Sequence, residues 1–84
     1  MADPKKVRLS HRAEKAFEAV DTRYQDHLKE AIRELSENPL QGKKLKGELE
    51  GLRSHRVGRF RIVYRVIKDL VEVVYIDDRK DVYR

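Results

Sequence analysis

The chain contains no cysteine. Disulfides are therefore excluded, and nothing marks an oxidising compartment, so a cytoplasmic setting is expected. Its three histidines are scattered and lack cysteine partners, which argues against a structural zinc site. Neither a metal nor another cofactor is expected. No apolar run approaches the roughly 20 residues that a membrane span needs, so no membrane association is expected. The start, Met1-Ala2-Asp3-Pro4-Lys5-Lys6, lacks the apolar stretch of a secretory signal. Internal repeats and low-complexity segments are also missing.

What remains is a short, highly charged chain. Its 84 residues make one domain, residues 1–84. A domain of this size buries only about 60% of its unfolded surface, so the core is modest. With disulfides and metals set aside, a partner that completes the core is the remaining staple. Twenty Lys and Arg against fifteen Asp and Glu give a net charge of +5. The basic residues cluster at 43–46 and 53–65, whereas the acids gather in the helical region and near the C-terminus. A basic surface attracts nucleic acid or an acidic protein, and charge alone does not separate the two.

The hydrophobic pattern predicts six elements in the order β-α-α-β-β-β. Lys6–Leu9 reads as a short strand. Ser10 is a suitable N-cap for a helix to about Val20, whose inner face is Ala13, Ala16, Phe17 and Val20. Asp21 or Thr22 starts a second helix with a stripe of Tyr24, Leu28, Ala31, Ile32 and Leu35. Asn38-Pro39 ends it, because the residue before proline is steered away from the α region. Residues 39–50 read as a long loop carrying Lys43, Lys44 and Lys46. Its lysines suit either contact with an RNA backbone or simple solvation. Three strand candidates follow, Leu52–Val57, Arg59–Ile67 and Leu70–Ile76, joined by turns short enough for hairpins. The last of these is apolar on both faces, so its second face also needs cover. The fold class is therefore α+β, a mostly antiparallel sheet of about four strands with a helical hairpin on one face.

The segment Ser54–Val66 carries the most chemical information. Phe60, Ile62, Tyr64 and Val66 alternate with Arg59, Arg61, Val63 and Arg65. A strand has period 2, so one sheet face is apolar and the other carries guanidiniums. Arginine is always charged, and its planar fork of donors fits phosphate oxygens. A row of such groups on a rigid strand suits a phosphodiester, although a solvated outer face has the same pattern. His55 alternates with Ser54 and Arg56 and is expected to face away from the Arg56–Arg61 platform. His11 and His27 lie among charged helical neighbours and read as surface.

Several segments together resemble the RelE/ParE toxin superfamily. They are Leu9–Ala16, Leu45-Lys46-Gly47, Gly51-Leu52, Arg56–Tyr64 and Arg79-Lys80-Asp81-Val82-Tyr83. Their order and spacing carry the likeness over nearly the whole chain. The resemblance implies a RelE-like microbial RNase fold and the toxin of a type II toxin–antitoxin system. It implies an mRNA endoribonuclease that acts through 2′-OH attack without metal, depends on the ribosome and inhibits translation. The superfamily also contains ParE-like toxins that bind DNA gyrase, so two alternatives stand beside the nuclease: a gyrase-binding toxin, or a catalytically weak relative that only binds its antitoxin.

By the same resemblance, Arg61 matches the arginine at the scissile phosphate and Arg56 the basic residue on the preceding strand. Arg79 and Tyr83 complete the catalytic set from the C-terminal motif. Lys43, Lys44, Lys46, Arg59, Arg65 and Lys80 are the expected RNA-binding residues. The sequence departs from the pattern at Leu52 and Ser54, where active RelE-type members carry lysines. It departs again at Asp77-Asp78, where many relatives have a histidine. The implied partners are mRNA, the ribosome and an acidic, partly disordered, RelB-like antitoxin. The toxin–antitoxin complex is expected to be heterotetrameric and to bind operator DNA through the antitoxin.

Overall fold

The computed structural model describes residues 5–47 and 51–78. Strand β1 (Lys6–Leu9) leads into helices α1 (His11–Glu18) and α2 (Thr22–Glu37). Strands β2 (Lys43–Lys44), β3 (Arg53–Val57), β4 (Phe60–Ile67) and β5 (Leu70–Asp78) follow. Together they form a five-stranded sheet of order β1-β5-β4-β3-β2. Only β1 with β5 is parallel; the other neighbours are antiparallel. The count exceeds the expected four because Lys43 and Lys44, read as loop, pair with Ser54 and Arg53. A pair this short leaves no periodicity in a sequence.

Local chemistry explains the helix limits. The Ser10 hydroxyl accepts from the Ala13 N–H at 3.1 Å, and Asp21 accepts from the Arg23 N–H at 3.0 Å. Each cap satisfies a donor that the first helical turn leaves open. At the far end of α2, Asn38 leaves helical geometry at φ −137° and ψ 77°. There the Gln41 side chain donates to the carbonyls of Glu34 and Asn38 at 3.2 and 3.1 Å.

The core lies between the helices and one sheet face. It holds Ala13 from α1, Leu28, Ala31, Ile32 and Leu35 from α2, and Phe60, Ile62, Tyr64, Val71, Val73 and Ile76 from the sheet. The doubly apolar look of β5 has a specific cause. Val63 pairs with Tyr75, but Tyr64 pairs with Val73, so Val74 is an extra residue in a β-bulge. The bulge shifts the alternation by one position. Val71, Val73 and Ile76 therefore all reach the core, while Leu70, Glu72 and Tyr75 belong to the open face. Much of the apparent second apolar face is thus a change of phase.

Candidate phosphate-binding face

Strand β4 presents the alternation expected of it from Phe60 onward. Phe60, Ile62 and Tyr64 are buried, whereas Arg61, Val63 and Arg65 face away from the helices. Cross-strand pairing completes the open face. Arg56 lies opposite Arg61, and Asp77 lies opposite Arg61 on the other side. The next row is Lys43, Ser54, Val63 and Tyr75, and the row after that contains Arg65, Glu72 and Arg8. Like charges placed directly opposite each other destabilise a sheet. The Arg56–Arg61 pair sets two cations side by side, with the Asp77 carboxylate across from Arg61 on the next strand.

These arginines line an open depression of about 470 Å³ together with Lys43, Ser54, Gln41, Gly42 and His55. The cavity exists because β2 is so short. Its two pairs end at Ser54, so β2 does not continue alongside His55, Arg56 and Val57. His55 pairs with Ile62, a core residue, which places it on the opposite face from Arg56, as alternation predicts. It nonetheless lines the depression, because the cavity runs over this edge of the sheet. A larger depression of about 680 Å³ lies beside it, lined by Lys44, Leu45, Lys46, Gly47, Gly51, Leu52 and Arg53. It contains neither Arg56 nor Arg61, so the guanidinium pair lines the smaller one alone. The three loop lysines are therefore divided, Lys43 in one depression and Lys44 and Lys46 in the other.

The wall formed by residues 39–42 is anchored from inside. The Tyr64 hydroxyl donates to the Pro39 carbonyl at 2.7 Å and accepts from the Gly42 N–H at 2.9 Å. Arg53 Nη1 donates to the carbonyls of Gly42 at 2.9 Å and Leu40 at 3.3 Å. Burial pushes the Tyr64 phenol above its ordinary range, opposed by the Gly42 N–H and by the charge of Arg53.

Two expected arginines have other engagements. Arg59 does not join the guanidinium face. It sits in the Gly58-Arg59 turn, outside the strand, where alternation does not apply. Its guanidinium lies over the rings of Tyr24 at 4.7 Å and Phe60 at 5.2 Å, on the helix side of the sheet. Its Nε pairs with Asp78 at 3.2 Å, without the alignment of a hydrogen bond. Arg65 keeps to the open face but is held by Glu72 at 2.7 Å. Arg8 grips the other oxygen of Glu72 at 2.7 Å. The side chain of Glu72 is only 11% exposed. The hydrogen bonds from Arg8 and Arg65 hold its carboxyl below the usual carboxylate range. Of the two carboxylates that depart from the family pattern, Asp78 thus turns to Arg59, and Asp77 lies opposite Arg61. Arg79, Lys80 and Tyr83 lie outside the described residues.

Sequence reasoning passed over Ser54 and Gln41 as lining residues, and over the guanidinium of Arg12 above the Tyr75 ring at 4.1 Å. Nothing in the local pattern marks Arg12, because its position depends on where β1 ends. Among the described residues, no group of three His, Asp or Glu side chains converges as a metal site would require. Nor is any helix among them long and apolar enough to cross a membrane.

Comparison with known proteins gives a consistent picture. The family model described as the ParE toxin of the type II toxin–antitoxin system parDE matches residues 7–83. A chain of the RelBE2 toxin–antitoxin complex of Mycobacterium tuberculosis is similar at 31% identity and a TM-score of 0.86, covering 92% of this chain and 100% of that one. A chain of the intact RelBE complex of E. coli shares 23% identity at a TM-score of 0.76, covering 88% of this chain and 95% of that one. One from the chromosomal ParDE system of P. aeruginosa shares 17% identity at 0.74, covering 90% and 97%. The latter two likenesses concern the fold alone. No curated protein matches the chain.

Proposed function

Starting from the fact that the chain belongs to the ParE toxin family of type II toxin–antitoxin systems, within the RelE/ParE superfamily, we propose that it acts in the cytoplasm as an endoribonuclease on translated mRNA. The observation that carries this reading is the directly opposed Arg56–Arg61 pair in an open depression beside Lys43 and Ser54. A phosphodiester laid there meets two rigid guanidinium forks.

In this reading the 2′-oxygen of the substrate attacks phosphorus and the bond from phosphorus to the 5′-oxygen breaks. The products are a 2′,3′-cyclic phosphate and a 5′-hydroxyl. Negative charge builds on the equatorial phosphoryl oxygens, and Arg61 and Arg56 stabilise it as preorganised donors. The proton of the 2′-OH must leave, and one must reach the 5′-oxygen. The arginines serve charge stabilisation better than proton transfer, because guanidinium does not deprotonate in proteins. A ribosome that holds the mRNA in line offsets this shortage through alignment. The neutralising partner is an acidic antitoxin that covers the arginine face and exposed apolar groups such as Ile67.

The family model favours a second reading, a toxin that binds DNA gyrase as a protein target. Induction of the chain in cells separates the two. A nuclease leaves new mRNA 5′ ends at defined codon positions and stops translation first. A gyrase poison leaves mRNA intact and accumulates broken DNA. In the nuclease reading, Arg61→Ala lowers cleavage by about 10²–10³-fold, and Arg61→Lys restores little because a point charge replaces a fork. Undiminished cleavage by Arg61→Ala removes that residue from the site.

A further inference from the structure

Strand β1 ends at Leu9, opposite Val73, so Val74 and Tyr75 extend beyond it. The chain fills this gap with the start of α1. The Ser10 N–H donates to the Val73 carbonyl at 2.9 Å, and the Ser10 hydroxyl donates to the Val74 carbonyl at 2.7 Å. These bonds fix the turn that delivers Arg12, whose guanidinium lies 4.1 Å from the Tyr75 ring centroid. Tyr75 pairs with Val63 on the open face, and Arg61 lies two residues from Val63 on the same strand and face. Diagonal neighbours of this kind are about 7–8 Å apart. Tyr75 is partly buried and Arg12 is exposed, so the ring backs a flat cation that faces solvent.

We propose that the Arg12–Tyr75 stack is a nucleobase seat, holding the base next to the phosphate gripped by Arg61 and Arg56. The proposal rests on the RNA-binding reading above and adds a second contact to it. A single-stranded base needs a flat surface more than a hydrogen-bonding code, and guanidinium planes and aromatic rings both supply one. Tyr75 holds the guanidinium plane in place, which spares the order that a free arginine would lose on binding. Stacking tolerates any base, so the seat fixes register along the RNA and favours purines through their larger faces.

The test uses the full chain and a non-cleavable, 2′-O-methylated single-stranded oligoribonucleotide. 2-Aminopurine is walked through successive positions, and a matching oligonucleotide carries an abasic site at the quenched position. Wild type is expected to quench fluorescence at one position. Tyr75→Leu and Arg12→Ala lose that quenching and bind the intact oligonucleotide about tenfold more weakly, within the range for loss of one stacked base. Tyr75→Leu binds the abasic oligonucleotide as wild type does, with an unchanged salt slope, because it removes neither a charge nor a phosphate contact. Tyr75→Phe keeps the ring and behaves as wild type. Melting temperatures identify any variant that fails to fold. Retained quenching in folded Tyr75→Leu, or an equal loss of affinity for intact and abasic RNA, overturns the seat. The phosphate reading then survives if Arg61→Ala still weakens binding and lowers the salt slope. If wild type binds no RNA at low salt, the phosphate reading falls and takes the seat with it.

Discussion

Tyr64 is the residue whose smallest alteration should have the largest structural effect. Its side chain is fully buried, yet its hydroxyl makes two bonds, to the Pro39 carbonyl and from the Gly42 N–H. Tyr64→Phe keeps the ring and deletes only the oxygen. It leaves a donor on buried Gly42 and an acceptor on half-buried Pro39 without that partner. An orphaned buried group costs about 1–3 kcal/mol. Pro39 retains some access to water, so the expected loss is about 2 kcal/mol. In a domain of this size each kcal/mol lowers the melting temperature by about 4–8 °C. Urea titration should show a lower midpoint with an unchanged slope, since the folded and unfolded surfaces are nearly the same.

The reverse alteration tests the same joint. A Cβ at Gly42 would collide with the Tyr64 hydroxyl oxygen and stand 2.9 Å from the Ser54 carbonyl oxygen. The second neighbour is sheet backbone, so Gly42→Ala must displace the loop, and overpacking of this kind costs about 1–3 kcal/mol. The pH dependence supplies a third arm. Burial raises the Tyr64 phenol, so the neutral form is the one the fold favours. That contribution is present below the unfolded value near 10 and is lost as pH rises through the higher folded value. Tyr64→Phe should remove this alkaline loss. A Tyr64→Phe variant within about 0.5 kcal/mol of wild type, with its alkaline limb intact, would refute the reasoning.

Other consequences can be checked separately. Glu72→Gln should destabilise the protein at neutral pH, because Arg8 and Arg65 lose their shared carboxylate. The Glu72 pKa is lowered by those arginines, so its contribution is present above the ordinary glutamate range and is lost as pH falls through the folded value. Acid titrations of the two proteins should therefore converge at low pH. Arg59→Ala should cost about 0.5–1 kcal/mol through loss of its cation–π contacts, and it should leave RNA affinity unaltered, since Arg59 lies on the helix side. Ser10→Ala should cost about 1 kcal/mol as a lost N-cap and should also weaken the Arg12–Tyr75 seat, measured by the quenching assay, because Ser10 fixes the turn before Arg12.

The elements with strong period were legible in the sequence. Ser10 and Asp21 start the helices as their side-chain chemistry suggests and Asn38 ends α2 ahead of Pro39, whereas α1 stops at Glu18, short of the expected Val20. The stripe from Tyr24 to Leu35 became the inner face of α2, and Phe60, Ile62 and Tyr64 became the centre of the core. Positions where the period breaks were read less well. Arg59 looked like a strand arginine because it continues the alternation by one step, but the chain is already turning there. Tyr75 looked like one apolar residue among several until the bulge at Val74 set its face. The shared grip of Arg8 and Arg65 on Glu72 joins residues from β1, β4 and β5, and such a pairing depends on strand order, which periodicity does not encode. The opposition of Arg56 and Arg61 was closer to hand, because a two-residue turn at Gly58-Arg59 fixes the register between β3 and β4.

The two places assigned chemistry on the open face share a structural cause. Both edge strands are short. β2 pairs at only Lys43 and Lys44, and β1 spans only Lys6–Leu9. Short edges and edge lysines keep a sheet from pairing with stray strands, which matters for a small chain rich in strand. Each truncation also leaves the neighbouring strand, still paired with β4, without a strand on its outer side among the described residues. Where β2 ends, β3 continues with Arg56 and the depression opens at its side. Where β1 ends, β5 continues with Tyr75 and α1 brings Arg12 over it. Between these positions, Val63 and Arg61 on β4 form the floor, held rigid by strands on both sides. Longer edge strands would strengthen the sheet and cover both places. In the proposed reading, the open face gives up pairing at the edges in exchange for recognition surface, while the rigid centre keeps the two contacts in register.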